Sequence, residues 1–384
     1  MRTSSSALSR RILCLSILCS LLPSASAQES LRARLQPFID RHELAGAVMM
    51  VGDAASIRHT EAIGFADVAA QKQMSSESIF WIASQSKPMT AAAVLMLVDE
   101  GRISLDDPIE KFLPEFRSQM IVAEKDDQHV LLRKPNHSVT IRHLLSHTGG
   151  MPFRSEVEQP TLDALPLATA VRSYAMTPLQ TEPGTHYQYS NAGINTTARI
   201  LEVVSGMPYE EFMQKRLFNP LGMTSTTFWP TEEQSSRVAL SYRPTANKTD
   251  LEPFPISQLT YPLSSHTNRF PMPAGGLFST AVDTMKFCQM ILNKGEFAGT
   301  RILSEAAVSE LTKRQTPDSV KESYGLGFSV NADSFGHGGA HATNMEIRPK
   351  DGLILVWMVQ HAGYPGDGAK AQGVFRDWAI QHKP

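Results

Sequence analysis

Segments of strand character lie near both ends of this 384-residue chain, and a long stretch of helical character separates them. Short apolar runs at 45–51 and 57–65, and again at 325–330, 345–348 and 353–359, indicate strands. Between the two groups, apolar residues recur at intervals of three and four, which is typical of amphipathic helices. The most economical arrangement joins both groups of strands in one sheet.

This distribution predicts an α/β (α+β) fold with one antiparallel sheet built from both ends of the chain, flanked by helices, and a central helix-rich part. The flanking helices are expected at 30–42 and 369–382. A cleft is expected where the sheet meets the helical part, and pockets commonly form at such places. The expected boundaries are 28–384 for a single domain, about 28–85 and 273–384 for its α/β part, and about 86–272 for its helical part.

Several local features of the chain are predicted in more detail. A helix that ends at Gly101 is expected after Lys87, and a long, partly irregular segment is expected at 227–272. Residues 118–138 are mixed and charged, which indicates a loop, and 349–352 is expected to be a hairpin turn. The other expected helices lie at 106–113, 139–146, 161–174, 192–205, 209–217, 281–292 and 304–313.

The first residues have the layout of a secretory signal peptide. Three arginines precede an apolar run at 12–22, and the small residues Ala25-Ser26-Ala27 form a cleavage site. The run is too short to span a membrane. The sequence therefore predicts a signal peptide at 1–27 and an exported protein, periplasmic or secreted, with retention of the segment as a short anchor as the alternative.

Charge and cysteine content narrow the range of partners and constraints. The net charge of −2 gives no reason to expect a nucleic-acid partner. No later run of about 18 apolar residues indicates a stable membrane span. Cys14 and Cys19 would leave with the signal peptide, so the remaining Cys288 forms no intrachain disulfide and is expected to be buried.

The stretch Ser84-Gln85-Ser86-Lys87 places a serine and a lysine three residues apart, directly before the apolar run at 91–98. On the first turn of a helix both side chains lie on one face, so the amine reaches the hydroxyl. A serine beside an amine that can take its proton is a candidate nucleophile. An isolated S-x-x-K is more often a helix start with a solvated lysine, so a site here needs further partners.

Two other segments supply such partners in the expected cleft. Tyr189-Ser190-Asn191 follows a Pro-Gly turn and opens a helix, so its side chains can point into a groove. In His337-Gly338-Gly339-Ala340, two glycines allow the edge of a strand to approach a ligand through its backbone.

The three segments together contain the groups that acyl transfer requires. Ser84 would attack, and Lys87 would take its proton if burial lowered the lysine pKa. Tyr189 could act as general base if a nearby ammonium stabilised its phenolate. Asn191 could hold Lys87 and bind a substrate carbonyl, while the backbone N–H groups of Ser84 and Ala340 would form the oxyanion hole.

S-x-x-K, Y-x-N and a glycine-bearing third motif, in this order, resemble the serine β-lactamase and penicillin-binding-protein superfamily, in its class C-like branch. The similarity covers nearly all of the chain after the signal peptide, because other segments also resemble that group. These segments are 144–150, 183–184, 324–327 and 336–339. The resemblance implies a β-lactamase/transpeptidase-like fold and a serine hydrolase that forms an acyl-enzyme on Ser84.

The third motif departs from the β-lactamases, which carry Lys-Thr-Gly where this chain has His337-Gly338-Gly339. A lysine suits the carboxylate of a β-lactam, whereas a histidine is mostly neutral at pH 7. The resemblance then favours an esterase-like hydrolase of short-chain or aryl esters. The alternatives are a D,D-peptidase or D-aminopeptidase with amide or peptidoglycan-like substrates, and a weak β-lactamase.

A non-enzymatic penicillin-binding sensor or peptidoglycan-binding module is a further alternative. Intact Ser84, Lys87 and Tyr189 favour an enzyme, because a binder has no need of all three. No cofactor is expected. The pairs His143 with His147 and His337 with His341 have metal-ligand spacing, but no third ligand is evident and no metal is expected.

Overall fold

The computed structural model describes residues 30–382 together with Met1. The predicted signal peptide and its two cysteines therefore lie outside the described residues, Met1 excepted. The boundaries proposed for a single domain and its two parts stay a prediction. No described helix is both long enough and apolar enough to cross a membrane.

The described part of the chain alternates short strands with helices. Its strands are Gly46–Gly52 (β1), Ile57–Asp67 (β2), Lys72–Gln73 (β3), Phe80–Trp81 (β4), Ile121–Lys125 (β5), Val130–Arg133 (β6), Tyr242–Pro244 (β7), Leu251–Pro253 (β8), Phe278–Ser279 (β9), Glu296–Phe297 (β10), Thr300–Arg301 (β11), Ser329–Val330 (β12), Phe335–Gly338 (β13), Asn344–Arg348 (β14) and Leu353–Met358 (β15). Its α-helices are Leu31–Asp40 (α1), Ser86–Asp99 (α2), Ile141–Leu145 (α3), Leu167–Met176 (α4), Asn191–Ser205 (α5), Tyr209–Met213 (α6), Asn219–Leu221 (α7), Glu232–Arg237 (α8), Ala281–Leu292 (α9), Glu305–Thr312 (α10) and Ala371–Gln381 (α11).

Strands from both ends of the chain form one antiparallel sheet in the order β12-β13-β14-β15-β1-β2-β3. The two ends meet where β15 pairs with β1, with Val48 opposite Met358 and Gly52 opposite Ile354. The prediction of an antiparallel sheet built from both termini is confirmed. The hairpin between β14 and β15 is also as expected, since a short turn ends at Gly352, whose φ of 62° favours glycine.

Every residue of β1 and β15 is buried, because helices cover both faces of the sheet. Met49 and Trp357 face a core that includes residues of the terminal helices α1 and α11. Met50 and Val356 face the opposite side, where α9 packs. Two covered faces explain why both strands are continuous apolar runs instead of alternating ones.

Helix α2 passes through the second and larger core. Twelve of its fourteen residues are buried, and it packs against α5 and α10. The same core contains sheet residues such as Met50 and residues of the helical part such as Leu201. The start of α2 therefore lies inside the protein, at the boundary between the sheet and the helices.

Some local predictions are wrong. Residues 118–138 contain the β5–β6 hairpin and are not a loop; only Ile121 of its strands is buried, so the apolar pattern is weak. Residues 106–113 do not form an α-helix but a 3₁₀ turn, Ile109–Lys111. The N–H of Ile109 donates to Val139 O, so this segment pairs with another part of the chain instead of continuing as a helix.

Two further elements are shorter than expected. The helix predicted at 161–174 begins only at Leu167, because the N–H of Leu162 donates to Gln258 O in the long irregular segment. The strand predicted at 325–330 is reduced to β12, since Gly327 has a φ of 76° and its N–H donates to Leu145 O. Both differences come from tertiary contacts that a local pattern does not contain.

Candidate active site

Ser84 lies in a 3₁₀ turn, Ala83–Gln85, that runs directly into α2. The turn begins with a left-handed residue, Ala83, whose φ is 45°. Lys87 is on the first turn of α2, and its Nζ lies 3.0 Å from Ser84 Oγ. The spacing of S-x-x-K therefore brings the amine to the hydroxyl, as the sequence predicts.

The Lys87 side chain is completely buried. Its Nζ also donates to the backbone carbonyl of Ala274, at 2.7 Å. Burial lowers the pKa of Lys87 well below its usual value of 10.5, since removing an ammonium from water is costly. Burial therefore favours the neutral amine, whose lone pair can accept the Ser84 proton.

Tyr189 lies two residues before the start of α5, and its phenol is close enough to the Ser84 hydroxyl for that hydroxyl to lower the pKa of the phenol. Lys87 Nζ lies 4.6 Å from the centre of the Tyr189 ring. Burial raises the pKa of Tyr189 above its usual value of 10, and the hydrogen bond to Ser84 offsets this only in part. Burial thus favours the phenol over the phenolate and the amine over the ammonium, and the role of Tyr189 as general base stays a prediction.

Asn191 is the first residue of α5 and is buried. Its backbone N–H donates to Phe153 O at 3.0 Å, which fixes the start of the helix. Its side-chain Oδ1 is buried without a hydrogen-bond partner, so this oxygen does not hold Lys87 as predicted. The carbonyl of Ala274 takes that place.

His337 lies on β13, opposite Met345 of β14. Its Nδ1 is 2.6 Å from Gly338 O, and its Nε2 is 3.0 Å from the Tyr324 hydroxyl. Burial, with a smaller effect of Lys87, lowers the pKa of His337 to about 3. The imidazole is therefore neutral, with Nδ1 donating to Gly338 O and Nε2 accepting from Tyr324.

The end of β13 approaches the serine segment closely. A Cβ on Gly339 would lie 2.6 Å from the carbonyl oxygen of Ile82, two residues before Ser84, so this contact requires glycine. Ala340 follows and is exposed. Among residues 30–382, no hydrogen bond uses the backbone N–H of Ser84 or of Ala340, so both remain available to an oxyanion.

Sequence reasoning did not assign a role to His147, which lies at the centre of the aromatic side chains around the site. Its ring centre is 4.5 Å from that of Tyr189 and 4.8 Å from that of Tyr324. Its Nδ1 accepts from the N–H of Ser190, and burial, together with Lys87 and His337, lowers its pKa well below 6.5. The 144–150 segment belonged to the resemblance, but nothing local indicated that it reaches Tyr189.

The histidine pairs with metal-ligand spacing have other partners. His143 Nδ1 accepts from the N–H of Thr140, and His341 Nδ1 lies 2.6 Å from Ser241 Oγ. The described residues contain no group of three or more His, Cys, Asp or Glu side chains placed to hold a metal ion.

A cavity of about 290 Å³ is lined in part by a residue whose ring contacts that of Tyr189. Phe153, which lines it, stacks on Tyr189 with ring centres 6.4 Å apart. The opposite walls include Leu162 and, from the long irregular segment, Gln258. These walls are joined by the hydrogen bond from Leu162 N–H to Gln258 O, at 3.0 Å.

The family model for beta-lactamase matches residues 31–375, and the chain belongs to this family. Penicillin-binding protein 4 of Amycolatopsis lactamdurans is 30% identical over 311 residues, which cover 80% of this chain and 70% of that protein. Esterase EstB of Burkholderia gladioli is 32% identical over 229 residues, covering 56% and 55%. The solved structure of EstCE1, described as a hydrolase with promiscuous acyltransferase activity, superposes with a TM-score of 0.76 at 22% identity, covering 91% of this chain and 97% of that one.

The superposition on EstCE1 confirms the fold class predicted from the sequence. The family and its relatives establish the protein as a serine hydrolase of the beta-lactamase family. The roles of Ser84, Lys87, Tyr189, Asn191 and residues 337–340 remain predictions, which the geometry brings together around one hydroxyl.

Proposed function

We propose that the protein is an exported esterase-like hydrolase that works through an acyl-enzyme on Ser84. The observation that carries this proposal is the 3.0 Å contact between Ser84 Oγ and the buried amine of Lys87, whose pKa is lowered by burial. A serine becomes a nucleophile when an adjacent base can take its proton. The Tyr189 phenol on the same hydroxyl supplies a second group for proton transfer.

The reaction runs in two halves. In the first half, Ser84 Oγ bonds to the acyl carbon while its proton passes to Lys87 Nζ. The oxyanion that forms accepts hydrogen bonds from the backbone N–H groups of Ser84 and Ala340. The bond to the alcohol breaks, and that oxygen takes a proton delivered by the Lys87–Tyr189 pair. In the second half, water attacks the acyl carbon of the ester on Ser84 and gives a proton to the Lys87–Tyr189 pair. The bond between the acyl carbon and Ser84 Oγ then breaks, the acid leaves, and the pair returns a proton to Ser84 Oγ.

Two features of the site favour esters over β-lactams. His337 is neutral and its Nε2 is occupied by Tyr324, so it offers no cation to a β-lactam carboxylate. Phe153, Pro160 and Leu162 line the cavity near Tyr189 and suit an apolar or aryl group, beside the polar residues Arg154, Thr161, Ser257 and Gln258. EstB, an esterase, and EstCE1, a hydrolase, are among the proteins to which this chain is similar.

A D,D-peptidase or D-aminopeptidase is the second candidate, and the similarity to penicillin-binding protein 4 over 80% of the chain favours it. A weak β-lactamase, or a penicillin-binding sensor without turnover, would use the same serine.

One panel distinguishes these functions. Purified protein is assayed with p-nitrophenyl acetate, butyrate and benzoate, with nitrocefin, and with a peptide ending in D-Ala-D-Ala. We expect turnover of the p-nitrophenyl esters, a burst of p-nitrophenol, and an acyl mass on the peptide that contains Ser84. Ser84→Ala should abolish all three, whereas Ser236→Ala, which changes an exposed serine of α8, should leave them unchanged.

Other outcomes overturn the proposal in distinct ways. Full ester hydrolysis in Ser84→Ala would show that another residue is the nucleophile. Preferred turnover of the peptide would establish the peptidase, and preferred turnover of nitrocefin the β-lactamase. Labelling by a fluorescent penicillin without turnover of any substrate would indicate a sensor.

Export is proposed from the N-terminal sequence alone, namely the arginines, the apolar run at 12–22 and the Ala25-Ser26-Ala27 site. Mass spectrometry of the protein from fractionated cells should find a mature N-terminus at Gln28 in the periplasm or the medium. A protein that keeps Met1 and stays with the cytosol would contradict export, and one that keeps Met1 in the membrane fraction would indicate an anchor.

A further inference from the structure

Ala274, whose carbonyl accepts a hydrogen bond from Lys87, also makes a hydrogen bond through its N–H. The N–H of Ala274 donates to Asn195 Oδ1 at 3.1 Å. Asn195 lies on α5, one turn after Asn191, and is buried. The position of the lysine's acceptor therefore depends on the side-chain amide of another helix.

Asn195 is in turn the middle member of a buried chain of hydrogen bonds. Its Nδ2 donates to the Tyr174 hydroxyl at 3.0 Å, and that hydroxyl donates to Glu158 Oε1 at 2.7 Å. All three side chains are at most 3% exposed. The mechanism of ester hydrolysis uses none of them directly.

The directions of these hydrogen bonds follow from the N–H of Ala274. This N–H can only donate, so the Asn195 atom that faces it is Oδ1, and Nδ2 donates to the Tyr174 hydroxyl. That hydroxyl in turn donates to Glu158, whose Oε2 accepts from the N–H of Ser155 at 2.7 Å. The Asn195 amide cannot flip, and its Oδ1 always faces the N–H of Ala274.

We infer that Asn195 is a positioning residue for Lys87, acting through the Ala274 carbonyl and held in orientation by Tyr174 and Glu158. This inference rests on the proposed function, in which Lys87 is the base. A neutral amine has two N–H bonds and one lone pair. Donation of one N–H to Ala274 O restricts the rotation about the Cε–Nζ bond and leaves the lone pair able to face Ser84 Oγ at 3.0 Å.

Neighbouring contacts hold the rest of this segment in place without Asn195. Thr90 Oγ1 donates to Pro273 O at 2.8 Å, and Trp81 Nε1 donates to Gly275 O at 2.6 Å. Loss of the Asn195 contact should therefore loosen residue 274 without displacing the segment. The fold should survive, while the alignment of the amine is lost.

Asn195→Leu tests the role because it removes both the acceptor Oδ1 and the donor Nδ2 while the side-chain volume stays similar. We expect kcat for p-nitrophenyl acetate to fall about 100-fold, the usual size of a misaligned catalytic group, while KM stays within about twofold. Tyr174→Phe, which only releases the amide from Glu158, should give a smaller loss in the same direction. Thr197→Val is the matched control, since its hydroxyl is buried on the same helix but bonds only to Ile194 O.

Asn195→Asp tests the role through the pH dependence of kcat/KM, which would not change if Asn195 were only a structural residue. A carboxylate beside Ala274 favours the protonated form of Lys87, so the acidic limb of the kcat/KM profile should shift to higher pH. The other titratable groups facing Lys87 are Tyr189, His147 and His337, and burial favours the neutral form of each. A lowered plateau with an unmoved limb would indicate a structural role only.

The inference and the proposed function fail separately. If Ser84→Ala is inactive but Asn195→Leu keeps its kcat with a native circular dichroism spectrum, the enzyme stands and the positioning role is wrong. If Asn195→Leu does not fold, Tyr174→Phe and Asn195→Asp decide: an unchanged kcat and pH profile in both overturns the inference. If Ser84→Ala remains active, the nucleophile itself is wrong.

Discussion

Lys87 is a completely buried amine whose partners are a hydroxyl and a carbonyl, with no carboxylate among them. A buried cation without a counter-ion is unfavourable, so the folded protein favours the neutral form. The same burial that prepares Lys87 to accept a proton makes the stability of the folded protein dependent on pH. Stability and catalysis at this residue are therefore linked.

Lys87→Met, which removes the titrating group at similar volume, should reveal this link. Between the lowered pKa of Lys87 in the folded state and 10.5, the unfolded wild type binds one proton more than the folded state. Stability from this group therefore rises with pH, by up to about 1.4 kcal/mol per unit. We expect the stability of the wild type relative to the variant to increase from pH 7 to pH 9 in urea unfolding.

Lys321→Met is the control for this experiment, because Lys321 is exposed. The same change at that position should leave the difference from wild type independent of pH. A constant difference for Lys87→Met as well would mean that the folded protein holds the ammonium.

Tyr189→Phe removes the phenol from Ser84 and keeps the ring that packs on Lys87 and His147. We expect kcat for p-nitrophenyl acetate to fall about 10² to 10⁴-fold, the usual contribution of a proton-transfer group, with an unchanged melting temperature. Tyr187→Phe is the matched control, because Tyr187 contacts the same ring of His147. Equal rates in wild type and Tyr189→Phe would remove Tyr189 from the mechanism.

At this scale the sequence predicts which side chains meet and misses what surrounds them. Ser84 and Lys87 meet because the spacing of a helical turn requires it, and Tyr189 follows from its motif. Ala274 and Asn195 belong to no local pattern, since their contacts exist only after the chain has folded. Burial, which opposes both charged forms of the predicted phenolate–ammonium pair, also depends on the fold and is not contained in the motifs.

The loops that form the cavity beside Tyr189 are fastened by a buried ion pair. Arg269 Nε lies 2.7 Å from Asp163 Oδ2, and both side chains are at most 2% exposed. Asp163 also accepts from the N–H of Thr260 at 2.9 Å. The pair thus joins the segment containing Leu162 to the long segment that was predicted to be irregular.

Asp163→Asn should loosen this cavity and destabilise the protein, because it leaves the Arg269 charge buried and unpaired. We expect a loss of about 3 to 5 kcal/mol in urea unfolding. Because Leu162 lines the cavity, KM for p-nitrophenyl benzoate should rise more than KM for the acetate.

Asp333→Asn is the comparison, since Asp333 pairs with Lys350 on the surface. It should leave both the unfolding midpoint and the KM values unchanged. A rise in KM that is equal for both esters in Asp163→Asn would mean that the cavity does not hold the bulky group.

Elements with a strong apolar period were predicted well, and elements that depend on distant partners were not. β1 and β15 are continuous apolar runs because both faces of the sheet are covered. The β5–β6 hairpin is almost entirely exposed, so its sequence lacks the alternation that marks a strand. Ile109–Lys111 could form a helix locally but is drawn into pairing with Val139.

Across the whole molecule, one apolar core crosses the boundary that the sequence placed between an α/β part and a helical part. Met50 and Val356 of the sheet lie in the same cluster as Leu201 and Leu217 of the helical part. The helical part therefore has no interior separate from the sheet, whereas the other face of the sheet packs on its own core with α1 and α11. The two parts should therefore unfold together, even though the chain is long for a single cooperative unit.

Cys288 can test this cooperativity, since it would be the only thiol after removal of the signal peptide. It is completely buried on α9, with Sγ 3.6 Å from Met345 Sδ, and burial raises the pKa of its thiol. A thiol reagent should leave the native protein unlabelled, and in urea the midpoints of labelling, circular dichroism and loss of esterase activity should coincide. Loss of activity and of part of the helical signal before Cys288 reacts would show instead that the helical part opens separately from the sheet.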